Sequence, residues 1–152
     1  MRRRLDKKSE KTQIPVYEDF GSSRDKAKAA IAAVKLHFPK RKLVVLFEPH
    51  TFSWRSRQAL VWYDDVFVGA DKVLIYRPSE LMNSGNQLTL VEMVKRVRKA
   101  KIDASGFKSA TEGLKLLGKS VGEHWAVLIL SSGGFAGIIQ PLVNWLERKF
   151  PA

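Results

Sequence analysis

Two hydrophobic patterns alternate along the chain: short, dense apolar runs, and longer stretches in which apolar residues return every three or four positions. The runs "IPVYEDF", "KLVVLFEP", "DKVLIYRPSE" and "HWAVLIL" predict strands. Two of them, "KLVVLF" and "WAVLIL", are apolar almost throughout, as expected of strands covered by helices on both faces. In "RDKAKAAIAAVKLHF", Ala27, Ala30, Ile31, Val34 and Phe38 form one helical stripe, which Pro39 terminates. "RSRQALVWYDDVFVGA" places Ala59, Trp62, Tyr63, Val66 and Phe67 on another and predicts a helix stopped by Gly69. "LVEMVKRVRKA" reads as an amphipathic helix with Val91, Val94 and Val97 facing inward, and "SATEGLKLLG" as a helix following a short strand near Ile102 to Phe107. A glycine turn and a closing helix, "IIQPLVNWLERKF", follow the last strand. Strands alternating with helices in this way imply right-handed crossovers and a mainly parallel sheet. The expected fold is α/β, a three-layer α/β/α Rossmann-like domain over residues 13–152, behind a basic leader or interdomain linker at residues 1–12.

Composition narrows this picture. With 152 residues, 45% of them hydrophobic, the chain suits one domain with one core. Its longest strongly apolar run, "WAVLIL", is too short to span a bilayer, and "MRRRLDKK" is followed by polar residues, which a secretory signal would not tolerate. There is no cysteine, so disulfide and thiolate chemistry are excluded. A cytoplasmic protein without a membrane partner is expected. The formal charge of +12 attracts phosphate in any form, free or polymeric. Its two densest patches, Arg2–Lys11 and Lys95–Lys101, read as a solvated tail and a solvated helix face. Zinc-finger spacing and RNA-binding aromatic motifs are both missing, so nucleic acid is not the expected partner.

Ligands of an open parallel sheet bind beyond the carboxyl ends of its strands. Three polar clusters fall at such ends. "EDFGSSRD" offers Asp19, Ser22 and Ser23, whose ordinary roles would be a solvated acid and a helix cap. "EPHTFSWRSR" offers His50, Thr51, Ser53, Arg55 and Arg57. Here Ser53 is the expected N-cap, and two arginines beside a helix N-terminus oppose its dipole unless an anion lies between them. "SSGGFAG" offers Ser132, Gly133, Gly134 and Phe135, either a close-packed strand-to-helix turn or backbone N–H groups open to an anion. Other chemistry finds little support. His37 and His124 stand alone, and the sequence holds no HExxH, GxSxG or GxGxxG motif.

The segment "VYEDFGSSRDKAKAAIAAVKLHFPKRKLVVLFEPHTFSWRSRQAL", together with "SSGGFAGIIQPLVNWLE", resembles the C-terminal domain of the Mur ligases, the ATP-dependent amide ligases of cell-wall precursor synthesis. Within that family it is most similar to the murein peptide ligase branch, which joins the recycled tripeptide L-alanyl-γ-D-glutamyl-meso-diaminopimelate to UDP-N-acetylmuramate. Asp19 and Phe20 match the acid and aromatic of the first family motif, His50 the histidine of the second, and Gly133, Gly134, Phe135 and Gly137 the last. Ser22 and Ser23 stand in place of paired histidines, Arg24 in place of a proline, Trp54 in place of an arginine and Ile139 in place of a histidine. The resemblance implies partners in a UDP-sugar-binding domain and a central ATPase domain of the same ligase, with the murein tripeptide as substrate. It also implies ATP and Mg2+ in the full-length ligase, with neither held tightly by this domain, which should catalyse nothing alone. The alternatives are a freestanding anion- or nucleotide-binding module, associated with nucleic acid through its basic patches, and a ligase-derived scaffold without catalysis.

Overall fold

A computed structural model of the chain describes residues 5–21, 23–49, 52–77, 87–131 and 134–152. Its sheet contains β1 (Asp6–Lys7), β2 (Val16–Asp19), β3 (Lys42–Phe47), β4 (Lys72–Tyr76), β5 (Asp103–Phe107) and β6 (Trp125–Leu130) in the order β1-β2-β6-β3-β4-β5. All neighbours pair in parallel except β1, which runs antiparallel to β2. The helices are α1 (Arg24–His37), α2 (Phe52–Arg55), α3 (Leu90–Lys99), α4 (Ala110–Ser120) and α5 (Ile139–Lys149).

Alternation along the strands builds two cores. Leu43, Val45 and Phe47 of β3 pack on one side with Ala27, Ala30, Ile31 and Val34 of α1 and Met93, Val94 and Val97 of α3. Val44 and Leu46 face the other side, against Leu117 of α4 and Leu142 and Leu146 of α5. Helices thus cover both faces, and the predicted three-layer α/β/α domain with a mainly parallel sheet is the observed one. Side chains cap three of the helix starts: Ser23 accepts from Lys26 N–H, Ser109 from Glu112 N–H, and Thr89 forms a capping box with Glu92.

Three details depart from the sequence expectations. The helix expected from "RSRQALVWYDDVFVGA" is a single turn, α2, followed by a 3-10 stretch, Arg57–Asp64. Between them Ser56 is extended (φ −74°, ψ 151°) and bridges to Gln87, while Leu88 N–H donates to the Arg55 carbonyl. Tertiary pairing has taken the backbone out of the helix, yet Ala59, Tyr63, Val66 and Phe67 still reach the core. Because α2 begins at Phe52, Ser53 lies inside it and is not its N-cap. On α3 the buried stripe is Met93, Val94 and Val97, and Val91 is exposed.

The leader also differs from a solvated tail over its described part. Lys8 N–H donates to Val16 O, and Lys8 pairs with Glu18. Thr12, buried, donates its hydroxyl to the Leu146 and Phe150 carbonyls. Residues 5–12 are therefore fastened along β2 and beneath the end of α5.

Candidate functional site

The last residues of β2, β6 and β3 lie level across the sheet, with Leu130 paired to both Asp19 and Phe47. Each polar cluster singled out from the sequence therefore leaves the sheet at the same height. Hydrogen bonds then join them. Ser131 N–H donates to Asp19 O at 3.0 Å, Glu48 N–H to Leu130 O at 3.0 Å, and the Ser131 hydroxyl to Glu48 Oε1 at 2.5 Å. The Trp54 indole N–H donates to Gly21 O at 3.0 Å, tying the second cluster to the first. Three segments distant in sequence form one carboxyl rim.

Asp19 is buried, and its Oδ1 accepts from Gly21 N–H at 3.0 Å, shaping the tight turn that leaves β2. Gly21 has φ +54°, and a Cβ there would stand 3.1 Å from Leu130 Cδ2, so the turn requires glycine. Ser23 serves as the α1 cap. Phe20, the aromatic that follows Asp19, is half exposed on the rim.

The two arginines part company. Arg57, contrary to the expectation of an anion contact, forms a forked ion pair with Glu92, Nη1 to Oε1 at 3.1 Å and Nη2 to Oε2 at 2.7 Å. The Arg57 guanidinium, aided by the Thr89 backbone N–H, draws the Glu92 carboxyl down to about 2. Arg24 and Arg96 are likewise paired, with Asp65 and Asp64. Arg55 is not. It is 9% exposed, Nη1 donates to the neutral Gln87 Oε1 at 3.2 Å, and its buried Nε has no hydrogen-bond partner. No acidic partner of Arg55 is found among the described residues. A buried cation without a counter-charge is costly, and an anion supplied from outside would offset that cost.

Phe135, expected among the ligand contacts, is instead a fully buried anchor. Its ring stacks on Phe107 (6.0 Å, 20°) and lies 5.9 Å from Tyr76. Its φ of +52° is strained for a side-chain-bearing residue, and burial of the ring offsets that strain. Gly134 is exposed at the start of the 3-10 turn Phe135–Gly137. Ser22, His50, Thr51, Ser132 and Gly133 lie outside the described residues, as does the side chain of Ser53.

Sequence reasoning missed Gln87, which has no motif to mark it, and Tyr76, which the strand-end rule applied to β4 would have found. It also passed over Ser131 and Glu48 as bonding partners, although both lie within the quoted clusters. The sequence does match GxxxxGK[ST] at Gly113 to Ser120, but that stretch lies inside α4 and not in a loop between strand and helix, and no group of three or more His, Cys, Asp or Glu suited to a metal occurs among the described residues.

No family model matches the chain. It is 33% identical over 135 residues to the UDP-N-acetylmuramate–L-alanine ligase of Endomicrobium trichonymphae, covering 86% of the chain and 28% of that protein. Against the enzyme of the same name from a Roseiflexus species it is 30% identical over 149 residues, covering 97% of the chain and 31% of the relative. The chain thus spans less than a third of these curated relatives. Among solved structures, the murein peptide ligase of Psychrobacter arcticus superimposes with a TM-score of 0.78 at 21% identity, over 96% of this chain and 30% of that one.

Proposed function

The chain belongs to the Mur ligase family, where it corresponds to the C-terminal domain, and from that premise we propose that its carboxyl rim seats the incoming peptide of an ATP-dependent amide ligase. The incoming substrate is the recycled tripeptide L-alanyl-γ-D-glutamyl-meso-diaminopimelate, and the acceptor is UDP-N-acetylmuramate. The UDP-sugar-binding and central ATPase domains belong to the rest of the ligase, which works in the cytoplasm. ATP and Mg2+ are held there, and they supply the activation of the acceptor carboxylate.

What this domain contributes is binding and orientation. Arg55 takes a substrate carboxylate, because its guanidinium is buried and meets no acid among the described residues. Gln87 fixes one Nη, leaving the Nε–H edge for the ligand. The strained, anchored Phe135 holds the last turn at the rim. Fixing the peptide at one carboxylate reduces the orientational freedom that its amine must lose to reach the activated carbonyl.

The observation that carries this reading is the buried Arg55, with no acid beside it among the described residues, on a rim where three turns are hydrogen-bonded together. Titration calorimetry of the purified chain with the tripeptide and with L-alanine tests it. The tripeptide should bind more tightly, and Arg55→Ala should remove that binding. Preference for L-alanine would assign the domain to an alanine-adding enzyme instead, and ATP hydrolysis by the chain alone would contradict the division of labour.

A further inference from the structure

The opposite, amino edge of the sheet carries a feature the peptide-binding reading does not use. Every parallel strand begins there, and α1, α3, α4 and α5 return to it with their C-terminal turns. Six exposed lysines gather on that edge: Lys40 and Lys42 between α1 and β3, Lys99 and Lys101 between α3 and β5, Lys119 ending α4 and Lys149 ending α5. None of the six forms an ion pair with a described residue. Of the acids near that edge, Asp71 is matched by Lys35, Asp103 by Lys72 and Asp64, which also attracts Lys99, by Arg96, so that Glu123 and Glu147 remain to oppose six lysines.

Helix dipoles account for a cation or two in each last turn. They do not account for Lys40, Lys42 and Lys101, which lie outside the helices, and an accumulation of like charge costs the fold through self-repulsion. Two exposed aliphatic residues accompany the lysines. Leu36, in the last turn of α1, is 79% exposed, and Val68, in the turn leading to β4, is 64% exposed. They are the two most exposed large apolar side chains described.

We infer that the amino edge is a peripheral docking surface for an anionic lipid bilayer, with Leu36 and Val68 entering the headgroup region and the lysines holding lipid phosphates. Lysines near a negatively charged membrane each contribute attraction, and short aliphatic insertions add to it. A nucleic-acid surface would instead present exposed aromatic rings for stacking, whereas Trp125 on this edge is partly buried with the Lys42 ammonium 5.8 Å from its ring centroid. The sequence expectation of no membrane partner rested on the missing span, and no described helix is long and apolar enough to cross. A surface contact requires no span.

Co-sedimentation of the whole chain with vesicles decides the matter. Binding should occur to phosphatidylcholine vesicles containing phosphatidylglycerol, be several-fold weaker with phosphatidylcholine alone, and fall when KCl rises from about 0.05 to about 0.5 M. Leu36→Glu with Val68→Glu, and Lys99→Gln with Lys101→Gln, should each weaken it several-fold at unchanged melting temperature. Arg55→Ala at the far rim should leave it unaltered. Equal vesicle binding by all variants would overturn the proposal. So would absence of vesicle binding, or an RNA oligonucleotide retained where vesicles are not.

Discussion

The two ends of one sheet use their polar side chains in opposite ways. At the amino edge they are consumed by the fold's own backbone. Arg41 donates to the Glu123 and Trp125 carbonyls at 2.9 Å, Thr12 to Leu146 O and Phe150 O, and Asp71 accepts from Leu43 N–H. At the carboxyl edge the turns are also tied together, but Arg55 keeps a buried donor with no acceptor among the described residues. The contrast teaches where to look for binding: a polar group whose capacity the fold has not used points to a ligand, and one already used points to stability. The lysines of the amino edge fall outside this rule, since they reach solvent and involve no burial.

Substitutions can break or sharpen that comparison. The largest effect is expected from Phe135→Ala, which removes a fully buried ring and should cost about 3–5 kcal/mol in chemical denaturation. Binding should fall with it, because the turn that the ring anchors belongs to the rim. Thr12→Val takes the acceptor from the Ile14 N–H and the hydroxyl from the Leu146 and Phe150 carbonyls, which keep their backbone donors, and should cost about 1–3 kcal/mol, with peptide affinity unchanged. Arg55→Met should behave in the opposite manner. Replacing a buried cation that has no acid beside it among the described residues by an apolar chain should be neutral or stabilise by roughly 1–2 kcal/mol, while peptide binding disappears.

The smallest effect concerns acid. Glu92 has a folded-state value drawn down to about 2 by Arg57 and Thr89, below its ordinary 4.5. Its contribution is present above that ordinary value and is lost as the pH falls through the interval toward about 2. Glu92→Gln should therefore flatten the acid limb of the stability profile over that window and leave neutral-pH peptide affinity untouched. A change in affinity would return Arg57 to the binding surface.

Much of the fold was legible because periodicity and burial agree. The β4 bounds, the α1 stripe and the apolar β3 and β6 runs all follow from side-chain pattern. The segment after β3 was misread for an identifiable reason. Its apolar spacing is helical, but Ser56 is pulled out to meet Gln87, a contact between residues 31 positions apart that no local pattern encodes. The rim was legible as strand ends meeting at one level, given a parallel sheet. The division of labour within it was not. Arg55 and Arg57 are two residues apart and alike in type, and only the fold brings Glu92 to one and buries the other with no acid beside it among the described residues. Phe135 was similarly opaque, since a phenylalanine after two glycines gives no sign that its ring turns inward.

The central claim is that Arg55 receives a substrate carboxylate at the carboxyl rim. The most direct measurement is the arginine Nε–H resonance of the isotopically labelled chain during titration with the tripeptide. The account predicts that the Arg55 signal shifts saturably, that the Arg57 signal stays in place, and that the response vanishes in Arg55→Met. A stationary Arg55 signal, with the peptide perturbing residues of the amino edge instead, would contradict it.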